Sequence, residues 1–128
     1  MTNAPDSSGL HTVTPYITAA KAERLIQFLA ETLEAEILRI ERRDDNSIQH
    51  ARLRIGDSVI MINEANAEYT AHPAQLYVYV PDVEVAFAKA ISAGATEIMS
   101  PNLRPFGDVL AGIRDPSGNM WWLAAPGD

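Results

Sequence analysis

The residues able to do chemistry fall into two groups. The first is three histidines, His11, His50 and His72, with Glu36, Glu64 and Glu97 as carboxylates that could join them at a metal or in acid–base work. No two of the histidines stand at a ligand spacing such as HxH or HExxH, so spacing alone supports no metal centre. Cysteine is absent, which removes thiolate ligands, disulfides and a Cys nucleophile together. His11 reads as an exposed residue at a strand start, and His72, before Pro73, as a solvent-facing loop residue. His50 alternates with Ala51 toward one strand face and is the candidate catalytic or ligand-contacting histidine.

The second group is aromatic and polar. Gln75, Tyr77 and Tyr79 share one face of the run QLYVYV, because strand side chains alternate. If that face is open to ligand, the three supply graded polar contacts; if it packs on a helix, they are structural. Trp121 and Trp122 point to opposite faces of a later strand, Trp121 toward a helix. Phe106, Gly107 and Asp108 precede a strand, where a closing loop would hinge on Gly107. Asp108 is expected to hydrogen-bond a loop amide, the alternative being that it orients a ligand.

Several elements must position these groups. Residues 1–9, MTNAPDSSG, are small and polar and read as a flexible leader. Leu10 to Ile17 alternates like a strand, with Pro15 requiring an edge or a bulge. Ala19 to Leu33 places Ala22, Leu25, Ile26, Leu29 and Leu33 at helical spacing. Three strand-like runs follow, Glu36 to Arg42, Ile48 to Ile55 and Ser58 to Asn63, separated by Asp44-Asp45-Asn46 and Gly56-Asp57. Glu64 to Ala74 is a polar connection. A strand over Gln75 to Val80 comes next, then a helix with Pro81 in its first turn and Asp82 near its positive end, stopping at Gly94. Thr96 to Met99 is a short strand, and Ser100 to Pro105 a loop. Phe106 to Leu123 is a hairpin turning at Asp115-Pro116-Ser117-Gly118-Asn119.

Both halves read strand, helix, strand, strand, strand, which predicts an internal repeat. Tyr16 and Ile17 correspond to Tyr77 and Val78, and IGDSVIMI to SGNMWWLA. The expected fold is therefore α+β, one domain over residues 10–125, with module one at about 10–64 and module two at about 75–125. A chain of 128 residues with 47% apolar content can bury such a core without staples. Its net charge of -7 lacks the basic footprint of a nucleic-acid binder. No apolar run approaches membrane-span length, and no basic-then-apolar leader is visible, so neither a membrane nor export is expected. The absence of cysteine fits a cytoplasmic location.

The segments VTPYIT, HARLRIGDSVIMINE, LYVYVPDVEVAFAKAISAGAT and FGDVLAGIRDPSGNMWWLA, within this paired βαβββ pattern, resemble the glyoxalase, bleomycin-resistance and extradiol-dioxygenase (vicinal oxygen chelate) superfamily, in a glyoxalase-like branch. The resemblance spans Leu10 to Ala125. It departs from that branch where Val109 replaces Arg, Ser117 replaces Phe and Asn119 replaces His. It implies two modules whose curved mixed sheets form a ligand cleft, and often a homodimer. His50 matches the branch's H-A-x-L strand.

In the metal-using members of that superfamily the ligands come from the first and last strand of each module. The matching positions here are Thr14 and Gln75, and Ile60 or Met61 and Trp122. Of these only Gln75 could donate to a hard cation. No metal site and no other cofactor is therefore expected, a divalent ion being disfavoured. Trp122 takes the place of a metal-binding carboxylate, either offering a flat surface to a planar ligand or filling the vacated site as core.

Two functional readings follow. One is a metal-free module that binds a small hydrophobic or aromatic molecule through Trp122, Gln75, Tyr77, Tyr79, His50, Phe106 and Asp108. The other is a lyase, isomerase or dioxygenase-type enzyme, with altered metal ligands or with His50 and the tyrosines as acid and base.

Overall fold

The computed structural model describes residues 10–127; the leader expected over residues 1–9 lies outside the described residues. The chain forms two βαβββ modules. In the first, β1 (Tyr16–Ala19) leads to α1 (Ala22–Leu33), β2 (Glu36–Arg42), β3 (Ile48–Ile55) and β4 (Ser58–Glu64). In the second, β5 (Gln75–Tyr79) leads to α2 (Val83–Ser92), β6 (Thr96–Leu103), β7 (Asp108–Arg114) and β8 (Met120–Pro126). Each module builds a four-stranded mixed sheet, β1-β4-β3-β2 and β5-β8-β7-β6, in which the first and last strands of the module pair in parallel and the others are antiparallel. This is the α+β, two-module architecture that the repeat predicts.

One face of each sheet carries a helix. Leu25, Ile26, Phe28 and Leu29 of α1 and Val83, Ala86 and Ala90 of α2 join Ile17, Leu53, Ile62, Ile113, Trp121 and Leu123 in one apolar core that runs through both modules. The same parity sends Tyr16, Thr18, His50, Arg52 and Met61 to the other, open face of the first sheet, and Gln75, Tyr77, Asp108, Gly112 and Trp122 to that of the second. The modules are also tied by polar contacts. The Arg24 guanidinium donates to the Ala93 carbonyl, and Ser117 Oγ donates to the Ala20 carbonyl at 2.6 Å.

Several boundaries differ from the sequence reading. The helix expected from Ala19 starts at Ala22, because Ala19 pairs with Glu64 as the end of β1 and Lys21 takes a left-handed turn before the helix. Three further shifts have local reasons. The first strand begins at Tyr16 rather than Leu10, because Thr14 Oγ1 bonds the His11 carbonyl and draws the chain into a turn. The carbonyl of Pro15 then accepts the first ladder bond, from the amide of Met61. Pro81 lies just outside α2, where Asp82 is the N-cap and its Oδ1 accepts from the Val85 amide. β6 runs on to Leu103 through Pro101, which an edge strand tolerates, and the register slips between Met99 and Asn102. No helix among the described residues is long and apolar enough to cross a membrane.

Candidate functional site

The open face of the second sheet is covered by aromatic rings lying across the strands. Trp122 on β8 sits between Tyr77 on β5 and Gly112 on β7. Its indole leans over Gly112 so closely that a Cβ there would fall 2.5 Å from the ring carbon Cζ3. Only glycine permits this packing. At the other side of the ring, Nε1 donates to Gln75 Oε1 at 2.7 Å, which fixes the indole across three strands. Gln75, Leu76, Tyr77, Leu110 and Trp122 line a shallow hollow of about 380 Å³.

Tyr77 and Tyr79 of β5 reach across β8 to β7 on the side of Ala124, the β8 residue that pairs with Tyr79 of β5 and with Leu110 of β7. Their hydroxyls both donate to Asp108 Oδ2, at 2.6 and 3.0 Å, and the rings meet edge to face with centroids 5.6 Å apart. Asp108 thus serves the side chains of the open face, a correction to its expected bond to a loop amide. The loop before it turns at Gly107 through its own backbone, the Gly107 amide donating to the Arg104 carbonyl. Hydrogen bonding to the anionic Asp108 pushes Tyr77 up to about 12 and raises Tyr79 in the same direction, so both stay protonated donors near neutral pH. Phe106 stands exposed beside this edge.

The question that alternation left open is answered by burial. Leu76, Val78 and Val80 pack against the core, while Gln75, Tyr77 and Tyr79 are exposed. Trp121 goes the other way into the core at 1% exposure, where its Nε1 donates to the buried carboxylate of Asp115 at 2.7 Å. Asp115 also accepts from the amides of Ser117 and Asn119 and from Asn119 Nδ2, while Asn119 Oδ1 accepts from the Ala74 amide.

His50 lies on the other sheet. Its Nδ1 is 3.2 Å from Tyr16 Oη, with the rings perpendicular, and its Nε2 accepts from Arg52 Nε at 3.4 Å. An accepting Nε2 puts the proton of the neutral ring on Nδ1, which then donates to Tyr16. Desolvation, followed by the nearby Arg52 charge, lowers the pKa of His50. Tyr16 also borders a polar hollow of about 770 Å³ with Thr18, Arg43, Asn63 and Tyr69. His50 is therefore not brought together with Trp122, Gln75, Tyr77, Tyr79 and Asp108 within one chain.

The positions matching the superfamily's metal ligands carry no carboxylate and no imidazole. Met61 and Trp122 are equivalent, each opposite the module's first strand at Tyr16 and Tyr77. Gln75 already gives its amide oxygen to an indole. His11 and His72 are exposed, and Glu64 accepts from the Ile48 amide. Among the described residues no group of three or more His, Asp or Glu is gathered closely enough to hold a metal ion.

The family model for the Glyoxalase/Bleomycin resistance protein/Dioxygenase superfamily matches residues 9–123. The chain belongs to this superfamily. Three relatives illustrate its range. A crystal structure of TioX from Micromonospora sp. ML1 is similar at 22% identity, with a TM-score of 0.74, over 92% of this chain and 98% of that one. A glyoxalase-related enzyme from Fulvimarina pelagi gives 14% identity and a TM-score of 0.70, covering 91% and 88% of the two chains. An uncharacterised protein of Mycobacterium tuberculosis (strain ATCC 25618 / H37Rv) is 26% identical over 125 residues, 89% of this chain and 74% of the relative. At such identities the solved structures bear on the superfamily fold and not on the activity.

Gly112 and Ala124 are residues of this site that the sequence reading did not assign to it. Gly112 had a signal, since an isolated glycine within an apolar strand run marks a close approach. Ala124 had none, because its role depends on which strands pair.

Proposed function

We propose that this protein is a small-molecule-binding member of the superfamily, holding a planar, mostly apolar ligand on the open face of its second sheet without the superfamily metal. The observation that carries this reading is the indole of Trp122, half-buried, seated on Gly112 and fixed by Gln75 at the position where a metal-binding carboxylate would stand. A ring held in this way is preorganised for stacking and loses little conformational entropy when a ligand lands on it. Its neighbours supply hydroxyls and an amide for orientation, the usual composition of a ligand site.

Acid–base catalysis through His50 has less support, because both ring nitrogens are engaged and no other candidate from the second sheet lies beside it. In this reading the protein acts in the cytoplasm as a homodimer, and a second copy covers open faces that leave Tyr16, Tyr79 and Phe106 exposed. Sedimentation equilibrium at micromolar concentration checks the dimer, and a persistent monomer would count against it.

The ligand reading is tested by intrinsic fluorescence during titration with a panel of planar aromatic compounds. Binding is expected to quench emission, and Trp122→Phe, which keeps a ring but loses the bond to Gln75, is expected to weaken it about tenfold. Trp122→Ala should abolish it. Binding that survives Trp122→Ala intact would remove the indole from the site. Stoichiometric divalent metal retained through chelator treatment would overturn the metal-free assignment.

A further inference from the structure

The carboxylate of Asp108 is the feature of the open face that stacking does not explain. It belongs to a half-buried residue at the start of β7, and one of its oxygens, Oδ2, accepts from both Tyr77 and Tyr79. No cation pairs with it among the described residues, although the chain carries ten Lys and Arg residues and several pair with carboxylates elsewhere. Two tyrosine rings reach it by their hydroxyl ends, with Trp122 farther along the same face. Gly112 and Asp108 lie four residues apart on β7, about 13 Å along the strand.

An apolar ligand alone would gain nothing from a carboxylate and would lose by desolvating it. A positive charge spread over a flat ring gains twice, from the carboxylate and from the face of the Trp122 indole on which the ring stacks. Two hydroxyls donating to the carboxylate also fix its direction before any ligand arrives. Resting on the ligand reading above, we infer that the site selects planar aromatic cations, with the flat part on Trp122 and the positive group directed to the Asp108 carboxylate beside the Tyr77 and Tyr79 hydroxyls. Anionic aromatics are disfavoured by the same carboxylate, and Val109, where the resembling branch carries an arginine, packs against the core.

Three tricyclic probes of matched area separate the contributions: 9-aminoacridine, cationic at neutral pH; acridine, neutral; and acridine-9-carboxylate, anionic. Calorimetric titration of the intact protein is expected to rank them in that order, the cation about tenfold tighter than acridine. Asp108→Asn should erase that preference, and a cooperative thermal unfolding transition shows that the variant is folded. Glu31→Gln, on the exposed side of α1, removes the same unit of charge and should leave the preference intact. A preference that is absent from the parent protein, that survives Asp108→Asn, or that falls equally in Glu31→Gln overturns the inference. Acridine binding that depends on Trp122 would then still uphold the stacking site. If none of the three binds the parent protein, the ligand reading fails and the inference fails with it.

Discussion

Trp122 rests on Gly112: the indole occupies the space a side chain at position 112 would need, with Cζ3 2.5 Å from where a Cβ would stand. The glycine is thus half of the aromatic shelf, and the two residues can be changed independently to prove it. In Gly112→Ala the methyl group must lift the ring or shift β7. A loss of stability of about 1–3 kcal/mol is expected, as for other overpacked sites. The diagnostic result is a change in Trp emission together with weaker stacking of planar ligands. If Gly112→Ala leaves both the emission and the binding of the parent, the indole does not depend on the glycine.

The bond from Tyr77 to Asp108 makes a spectroscopic prediction. Tyr77 ionises only near pH 12 against an ordinary value of 10.0, because the proton is held by a hydrogen bond to a carboxylate that would repel the phenolate. With the folded value raised, the associated stability is present below pH 10 and is lost as pH climbs toward 12. Titration of tyrosinate absorbance should show late-ionising groups that return toward 10 in Asp108→Asn. An unchanged titration in that variant would mean that the hydroxyls point elsewhere.

His50 is expected to titrate below 6.5, since desolvation and then Arg52 disfavour the imidazolium. A depressed folded value means that the neutral ring favours the folded state above the unfolded pKa, and that this contribution fades as pH falls through the folded one. Following the ring protons by NMR, the Arg52→Gln variant should titrate higher than the parent but still below 6.5, burial being the larger cause. A fall in the pKa of that variant would contradict the assigned partner.

Asp115 carries the turn before β8. Its buried carboxylate accepts from two backbone amides, from Asn119 and from Trp121 Nε1. Asp115→Ala leaves an indole N–H and two amides without partners, and chemical denaturation should register a loss of about 3 kcal/mol. A loss under about 0.5 kcal/mol would show that water replaces the carboxylate.

Much of this architecture was legible in the sequence because its signals are local. The repeated strand–helix–strand order, the Asp115 to Asn119 turn and the opposed directions of Trp121 and Trp122 follow from periodicity and turn chemistry over a few residues. The site was legible only as a set of candidates. Asp108 finds its tyrosines 29 and 31 residues away, and Tyr16 finds His50 34 residues away, so their partners depend on sheet register. Alternation grouped Gln75 with Tyr77 and Tyr79 but did not say which face a helix would cover. The first strand was misplaced because Leu10 to Pro15 alternates without making a ladder, Thr14 having bonded backward to His11.

The contacts of Arg24 with the Ala93 carbonyl and of Ser117 with the Ala20 carbonyl bear on how the repeat behaves as matter rather than as pattern. Each joins a side chain of one module to the backbone of the other, above a core that both share. Opening either module strips partners and apolar cover from its twin, so the two halves are expected to melt together. Two similar sequence halves are thus expected to give one cooperative transition, with damage at the Asp115 turn reaching the first module through Ser117 and the shared core.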